Sequence, residues 1–360
     1  MTSPAHRLAS ARSWFQPRRV WGAVTLAVVV SVGVILTTAV QGGSWKSLLS
    51  VEVAWGWLAI ALGMVVLRDA GYVLRLIVLA RGELGVKRGT SSVILWELAS
   101  ALTPSVVGGS AVAAFILHRN GLTWGRSLAT VMSTALLDEL YFLVAVPTVA
   151  LWVGWAAFLP VATPWIEGSV ATIFAGGYAF MALLAVFLSS ALFVAPKRVQ
   201  FGLDVLSKRR PLRRWRSELQ QLASDLLDAS RDLRSMSWQA WAWAGGSTAL
   251  SWTARFLTLN ALLMAFLAPR LQDDQALHQF EIWARQLSMW TVLMISPTPG
   301  SSGLAELALP AFMSDILPFA LGATSWAAVV LVWRYITYHI YLLVGGVLMP
   351  FWLAQTSSPN

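Results

Sequence analysis

Residues 295–312 read ISPTPGSSGLAELALPAF. Pro297, Pro299, the Gly300–Gly303 cluster and Glu306 interrupt a chain that is otherwise strongly apolar. Proline removes a helix hydrogen bond and clashes with the preceding turn, and glycine weakens a helix interior. The stretch therefore predicts a helix broken in its middle. In lipid, irregular backbone is tolerable only where protein or a wet cavity surrounds it. A half-helix that begins at such a break exposes its first N–H groups and its positive dipole end, which suits a phosphate or carboxylate.

The rest of the chain supports a membrane setting. Of 360 residues, 57% are hydrophobic and 12% charged, and the mean hydropathy is +0.65. That balance points to a polytopic membrane protein rather than a soluble domain. Twenty Trp suit membrane interfaces. The absence of Cys excludes disulfides, thiolate metal sites and a Cys nucleophile. Four His, none paired at ligand spacing, argue against a metal site, and no cofactor is expected. The net charge of +9 fits loops facing anionic lipid better than nucleic acid.

Apolar runs of about 20 residues predict spanning helices near 21–40, 52–79, 128–154, 169–194, 238–268 and 322–352. The first run is long for a signal peptide and is read as a span. Two further apolar segments, 91–117 and 283–317, each carry a Thr-Pro and a Gly/Ser cluster. Lys and Arg set the orientation. The N-terminal tail carries Arg7, Arg12, Arg18 and Arg19, and 195–237 carries ten Lys/Arg against five Asp/Glu, so both belong inside. Every basic segment stays inside only if 91–117 enters and returns as a re-entrant hairpin. By the same count 283–317 is re-entrant from the outside. The expectation is an all-α polytopic membrane protein, a single membrane domain over 1–360, with about six spanning helices and two re-entrant hairpins. Its first half is 21–194, its second 238–352, and both termini lie on the inner side of the cytoplasmic membrane.

The two broken segments align. Leu102–Ala111 (LTPSVVGGSA) lies over Pro297–Glu306 (PTPGSSGLAE), so Thr103 meets Thr298, Pro104 meets Pro299 and Gly108 meets Gly303. With opposite entry sides this is an inverted repeat, a pattern that places a site at the midplane between the halves. Ordinary kinked helices are the competing reading. The substrate-binding candidates are Thr103, Pro104, Gly108, Gly109, Thr298, Pro299, Gly300, Ser301, Ser302, Gly303 and Glu306, with Arg334 and Tyr338 further on. Glu306 either caps the half-helix or meets a cation or proton.

The same residues carry a resemblance. PTPGSSGLAE, with TPSVVGGSAVAAFILHRNGLTWGRSLATVMSTALLDEL upstream and LVWRYITYHIYLLVGG downstream, resembles the flippase-like membrane domain family. That family includes the transmembrane part of lysylphosphatidylglycerol synthase, and the likeness covers nearly the whole chain. It implies movement of lipids or lipid-linked headgroups between leaflets of a prokaryotic cytoplasmic membrane. The soluble aminoacyl-transferase domain of its best studied members is not expected after residue 352. Ser110 and Ala113 stand where the family often has an acidic and a basic residue, which weighs against a cationic aminoacyl lipid.

Charge at membrane depth is costly, so each ionisable residue there is a functional candidate. Arg334, with Tyr338 and Tyr341 at i+4 and i+7, predicts one face with a cation and two hydroxyls, suited to a phosphate; an ion pair with Glu306 or Asp138 is the alternative. Arg68, Asp138, Arg255 and Arg285 are candidates for charge relay or pairing, and Arg75 for snorkelling to the inner surface. Asp138 and Glu139 are adjacent and so point in different directions. Apolar residues recur at Trp215, Leu219, Leu222, Leu226, Leu233 and Met236 beside SKRRPLRRWR, predicting a basic amphipathic linker helix within 195–237 on anionic lipid. The leading function is transport of an anionic lipid or lipid-linked headgroup, with a lipid-modifying transferase activity or a transferase-recruiting subunit as alternatives. Expected partners are anionic membrane lipids, with a transferase or a second copy of the chain as candidates; no nucleic acid is expected.

Overall fold

The structure is a computed structural model. It describes residues 51–103, 105–160, 167–208, 216–272, 278–294, 296, 298–319 and 321–355, and isolated positions between 22 and 37. The predicted span 21–40 and Pro104 therefore lie largely or wholly outside the described residues. Among those residues the structure is helical, with no strand. The first half holds α1 (Trp55–Leu79), α2 (Val86–Leu102), α3 (Ser105–Arg119), α4 (Trp124–Val153) and α5 (Glu167–Ser189), the last extended by a π turn (Ser190–Val194). The basic segment holds α6 (Pro196–Ser207), not foreseen from sequence, and α7 (Arg216–Arg234), where the linker helix was expected. The second half holds α8 (Trp238–Leu267), α9 (Gln279–Leu293), α10 (Leu304–Met313), α11 (Ala323–Arg334) and α12 (Ile340–Gln355). A π turn, Tyr335–His339, joins α11 to α12.

Four helical stretches among the described residues are long and apolar enough to cross a membrane: Trp124–Val153, Val170–Val194, Trp238–Arg270 and Ala323–Gln355. They coincide with four of the expected spans. α1 has 25 residues, but Arg68, Asp69 and Arg75 interrupt its apolar surface. Side-chain caps fix two of the long helices. The Thr123 hydroxyl accepts from the Arg126 N–H at 3.3 Å to start α4, and Ser237 accepts from the Ala240 N–H at 3.2 Å to start α8.

Both broken segments fold back on themselves. At the first break Thr103 is extended (φ −103°, ψ 136°), as a residue before proline prefers, and its hydroxyl returns to the Ala99 carbonyl oxygen at 2.8 Å. Across the bend, a Cβ on Gly109 would sit 2.4 Å from the Ser100 Oγ. At the far end Asn120 donates to Ser92 Oγ at 2.7 Å, and Arg88 donates to the Asn120 carbonyl oxygen at 3.2 Å. α2 and α3 thus form an antiparallel hairpin. α9 and α10 do the same: Arg285 donates to Asp315 at 2.7 Å, and Ser301 Oγ reaches back to the Leu293 carbonyl oxygen at 3.4 Å. The register that lays Thr103 on Thr298 also lays Asn120 on Asp315. In each hairpin that position meets an Arg of the incoming helix.

The halves interlock. α1 runs along α8 in the broadest helix contact, and Ser251 Oγ donates to the Arg68 carbonyl oxygen at 3.0 Å. Gly71 permits this approach, since a Cβ there would lie 2.3 Å from Ser251 Oγ and 3.0 Å from the Ser247 carbonyl oxygen. α12 lies on α2, with Gly345 against Leu98. Trp352 Nε1 donates to Asn120 Oδ1 at 2.8 Å. Part of the predicted lipid-facing stripe is packed instead: Leu233 is buried with Ala129, Leu136, Leu188 and Leu192, and Met236 lies against them. These side chains pack with residues of α4, α5 and the π turn, which is why they do not face lipid.

Gly71→Ala is expected to destabilise the fold by about 1–3 kcal/mol through overpacking. Ser251→Gly in the same chain should recover part of the loss, because the clash with backbone at Ser247 remains. Thermal unfolding in detergent, followed by Trp fluorescence, checks both.

Candidate functional site

The bends of both hairpins meet at one cavity of about 330 Å³. Thr103 and Ser110 line it from the first break, and Thr298, Gly300 and Ser301 from the second. Arg75, Glu97, Asp138, Glu139, Arg255 and Arg334 supply charge to its wall. The two aligned breaks and the ionisable residues thus converge on a shared space between the halves.

The second break is held from within. Gly300 and Ser301 have φ of 54° and 53°, and Gly303 has φ of 85°, which is why glycine recurs here. Glu306 accepts from the Gly303 N–H at 2.8 Å and caps α10. Its other oxygen accepts from Arg334 Nε at 2.9 Å, with both side chains buried. Arg334 Nη2 also donates to the Gly300 carbonyl oxygen at 3.2 Å and to Ser302 Oγ at 3.3 Å. Ser302 Oγ donates to the Tyr338 hydroxyl at 3.2 Å, which donates to the Ala101 carbonyl oxygen at the end of α2 at 3.1 Å. One chain of contacts therefore runs from the second break to the first. Glu306 takes the capping role and also pairs Arg334, so the positive end of α10 is already met by a carboxylate.

Tyr341 does not share the Arg334 face. The guanidinium lies over the Tyr338 ring at 4.0 Å, whereas Tyr341 donates to Asp69 at 2.7 Å and its ring lies 4.8 Å from the Arg68 guanidinium. The π turn at Tyr335–His339 widens the helix by one residue per turn and rotates the residues after it, a change that α-helical spacing does not register.

The remaining charges form a second network. Arg68 Nη2 is 3.0 Å from Asp69 and 3.2 Å from Glu97. Arg75 is buried and donates to Asp138 at 2.5 Å, and Trp252 Nε1 donates to the same oxygen at 2.7 Å. The expected snorkelling of Arg75 is corrected here: α8 and α4 cover it, and its Nη1 donates to Asp138 and Thr248 (3.2 Å), while its Nε has no hydrogen-bond partner among the described residues. Arg285 lies outside the cavity wall, with its Nε on the Ala157 carbonyl oxygen and its Nη2 on Asp315. Gly109 serves the hairpin contact with Ser100, and Gly108 lies within α3. Pro299 opens the tight turn Pro299–Ser301, in which Gly300 is left-handed (φ 54°, ψ 25°).

Arg255 is held most loosely. Its ion-pair contact is the shared Glu97, at 3.6 Å, and its Nε has no hydrogen-bond partner among the described residues. Trp252 and Trp290 flank the guanidinium at 5.0 and 4.8 Å. The two rings are inclined at 67° to each other, so the guanidinium sits in a corner between them. Glu139 is buried on the same cavity, and its Oε2 has no partner among the described residues. The repeat register lays Glu139 on Arg334 and Ala111 on Glu306, so the ion pair of the second half has no copy in the first. Trp252 and Trp290 were not singled out from sequence, and Glu139 was read only as pointing away from Asp138. Trp252 at i−3 from Arg255 is the signal that marks a stacked arginine.

The fold and this cavity define a helical membrane protein with an interior charged chamber between two hairpins. A family model for the lysylphosphatidylglycerol synthase TM region matches residues 23–345, and the chain belongs to that family. A UPF0104 membrane protein of Archaeoglobus fulgidus is 24% identical over 269 residues, covering 71% of this chain and 74% of the relative.

Removing Arg334 alone leaves the Glu306 carboxylate buried without its cation, and Arg334→Ala is expected to cost about 3–5 kcal/mol of stability. Arg334→Met combined with Glu306→Gln keeps the cap on Gly303 and should recover most of it. A double-mutant cycle on unfolding in detergent reads the coupling.

Proposed function

We propose that the chain moves an anionic lipid, or a lipid-linked headgroup, between the leaflets through the cavity where the two hairpins meet. The observation that carries this reading is the cavity wall itself: both backbone breaks and arginines from both halves face one interior space. Family membership supports a lipid-related role. The hairpins are read as re-entrant. α2 and α3 rise about 25 and 22 Å, and α9 and α10 about 22 and 15 Å, each short of a hydrocarbon core of about 30 Å. With 21–40 and α1 as spans, this reading has six crossings and both termini on the cytoplasmic side, the orientation taken from Lys and Arg.

The cationic contact proposed for the phosphate is Arg255, because its ion-pair contact is the shared Glu97 at 3.6 Å, its Nε has no partner among the described residues, and Trp252 and Trp290 flank it. Arg334 has its donors on Glu306, Gly300 and Ser302, and its proposed part is to keep the second break in shape. The acyl chains stay in the bilayer while the headgroup passes. Alternating access then rocks the α8–α12 half against the first half, breaking and remaking the Tyr338–Ala101 contact.

Purified protein in liposomes, with fluorescent phosphatidylglycerol or polyprenyl phosphate, tests this. Wild type should exchange label between leaflets, and Arg255→Ala should slow exchange at least about tenfold, the worth of a lost charged hydrogen bond. Lys87→Ala, an exposed basic position, should exchange as wild type does. Equal rates for Arg255→Ala and wild type, or no exchange of either lipid, would contradict the proposal.

A further inference from the structure

A second cavity of about 400 Å³ lies away from the hairpins, where α5 ends. Lys197 and Arg198 of α6, Arg231 and Arg234 of α7, Val194 and Leu227 contribute to its wall. Arg231 is held by Asp228 at 3.0 Å, and Arg234 donates to the Phe193 carbonyl oxygen. Lys197 and Arg198 are exposed and have no ion-pair partner among the described residues.

Two further observations say what this groove meets. The apolar stretch Val170–Val194 is long enough to cross a membrane, and its last residue lines the groove. The groove therefore opens where the chain leaves hydrocarbon, at headgroup level. Val194 and Phe201 are strongly exposed beside the two cations. Large apolar side chains next to unpartnered cations match a lipid, whose acyl chains and phosphate lie at the same two depths.

We propose that this groove holds one anionic phospholipid of the leaflet where α5 ends, its phosphate at Lys197 and Arg198 and its acyl chains along Val194 and Phe201. This site is separate from the central cavity and does not rest on the transport reading. Its consequence comes from the contacts of α7. Ser230 Oγ donates to the Leu192 carbonyl oxygen at 2.5 Å, so α7 is docked on the last turns of α5. Arg126 ties α7 to α4 and to the loop before α2, through Asp232 at 2.6 Å and Glu83 at 2.5 Å. α7 also leads directly into α8. A lipid in the groove braces α5, α6 and α7 at the one linker between the halves.

The test uses the full chain in detergent, titrated with dioleoylphosphatidylglycerol, dioleoylphosphatidylcholine or inorganic phosphate. Binding is read by native mass spectrometry and by the melting temperature. Phosphatidylglycerol should be retained and should raise the melting temperature of wild type. In the Lys197→Ala, Arg198→Ala double variant its affinity should fall about thirtyfold, since each cation beside an anionic group contributes about fivefold. Lys87→Ala, a basic position elsewhere, should bind as wild type does. Both substituted side chains are exposed, so the double variant should fold, and an unchanged melting temperature without lipid checks this. Undiminished affinity in the double variant would overturn the proposal. So would equal binding of phosphatidylcholine, or a phosphate effect as large as that of phosphatidylglycerol.

Discussion

Two interruptions of the backbone inside an apolar protein leave peptide groups outside the helical hydrogen-bond ladder, and the structure is arranged around satisfying them. At the second break the solution is a buried ion pair. Glu306 closes the start of α10 with one oxygen and holds Arg334 with the other, and Arg334 returns donors to Gly300 and Ser302. A buried ion pair adds little net stability compared with apolar packing. What it does here is fix the shape of a turn that includes three residues of positive φ.

The two hairpins align in sequence, but the charges of the two halves are not copies. The hairpins share their bend and a polar residue at Asn120 or Asp315 that meets an Arg. In the cavity the symmetry fails. The second half has Glu306 with Arg334, while the corresponding places in the first half hold Ala111 and Glu139. The first half instead pairs its arginines on α1 with Asp69, Glu97 and Asp138. Arg255 shares Glu97 with Arg68 and so lacks a carboxylate of its own. The charges on the cavity wall are therefore asymmetric between the halves.

Much of the architecture was legible in the sequence because it rests on local rules. Runs of apolar residues marked the long helices, and Pro with Gly and Ser marked both breaks. The alignment of Thr103 with Thr298 pointed to the cavity, since both line it. The partners were less legible. Arg285 with Asp315, Arg75 with Asp138, and Tyr341 with Asp69 are tertiary pairings, and only the last two involve helices distant in sequence. The π turn misled the reading of Arg334, Tyr338 and Tyr341 as one face, because it changes helical spacing without a sequence mark such as proline. Periodicity placed a helix where α7 lies, but Leu233 and Met236 pack on protein, since periodicity shows that a face is apolar and not what covers it.

The central claim is that one cavity, shared by both halves, opens to each side in turn. The chain contains no Cys, so single cysteines report without background. The most direct measurement places one at Thr103 and, separately, one at Thr298, in oriented proteoliposomes treated with a membrane-impermeant thiol reagent from either side. Alternating access predicts that each position reacts from both sides. Disulfide locking of one hairpin to the opposite half should then abolish reaction from one side only. Reaction of both positions from a single side, unchanged by locking, would mean a static chamber and would contradict the account.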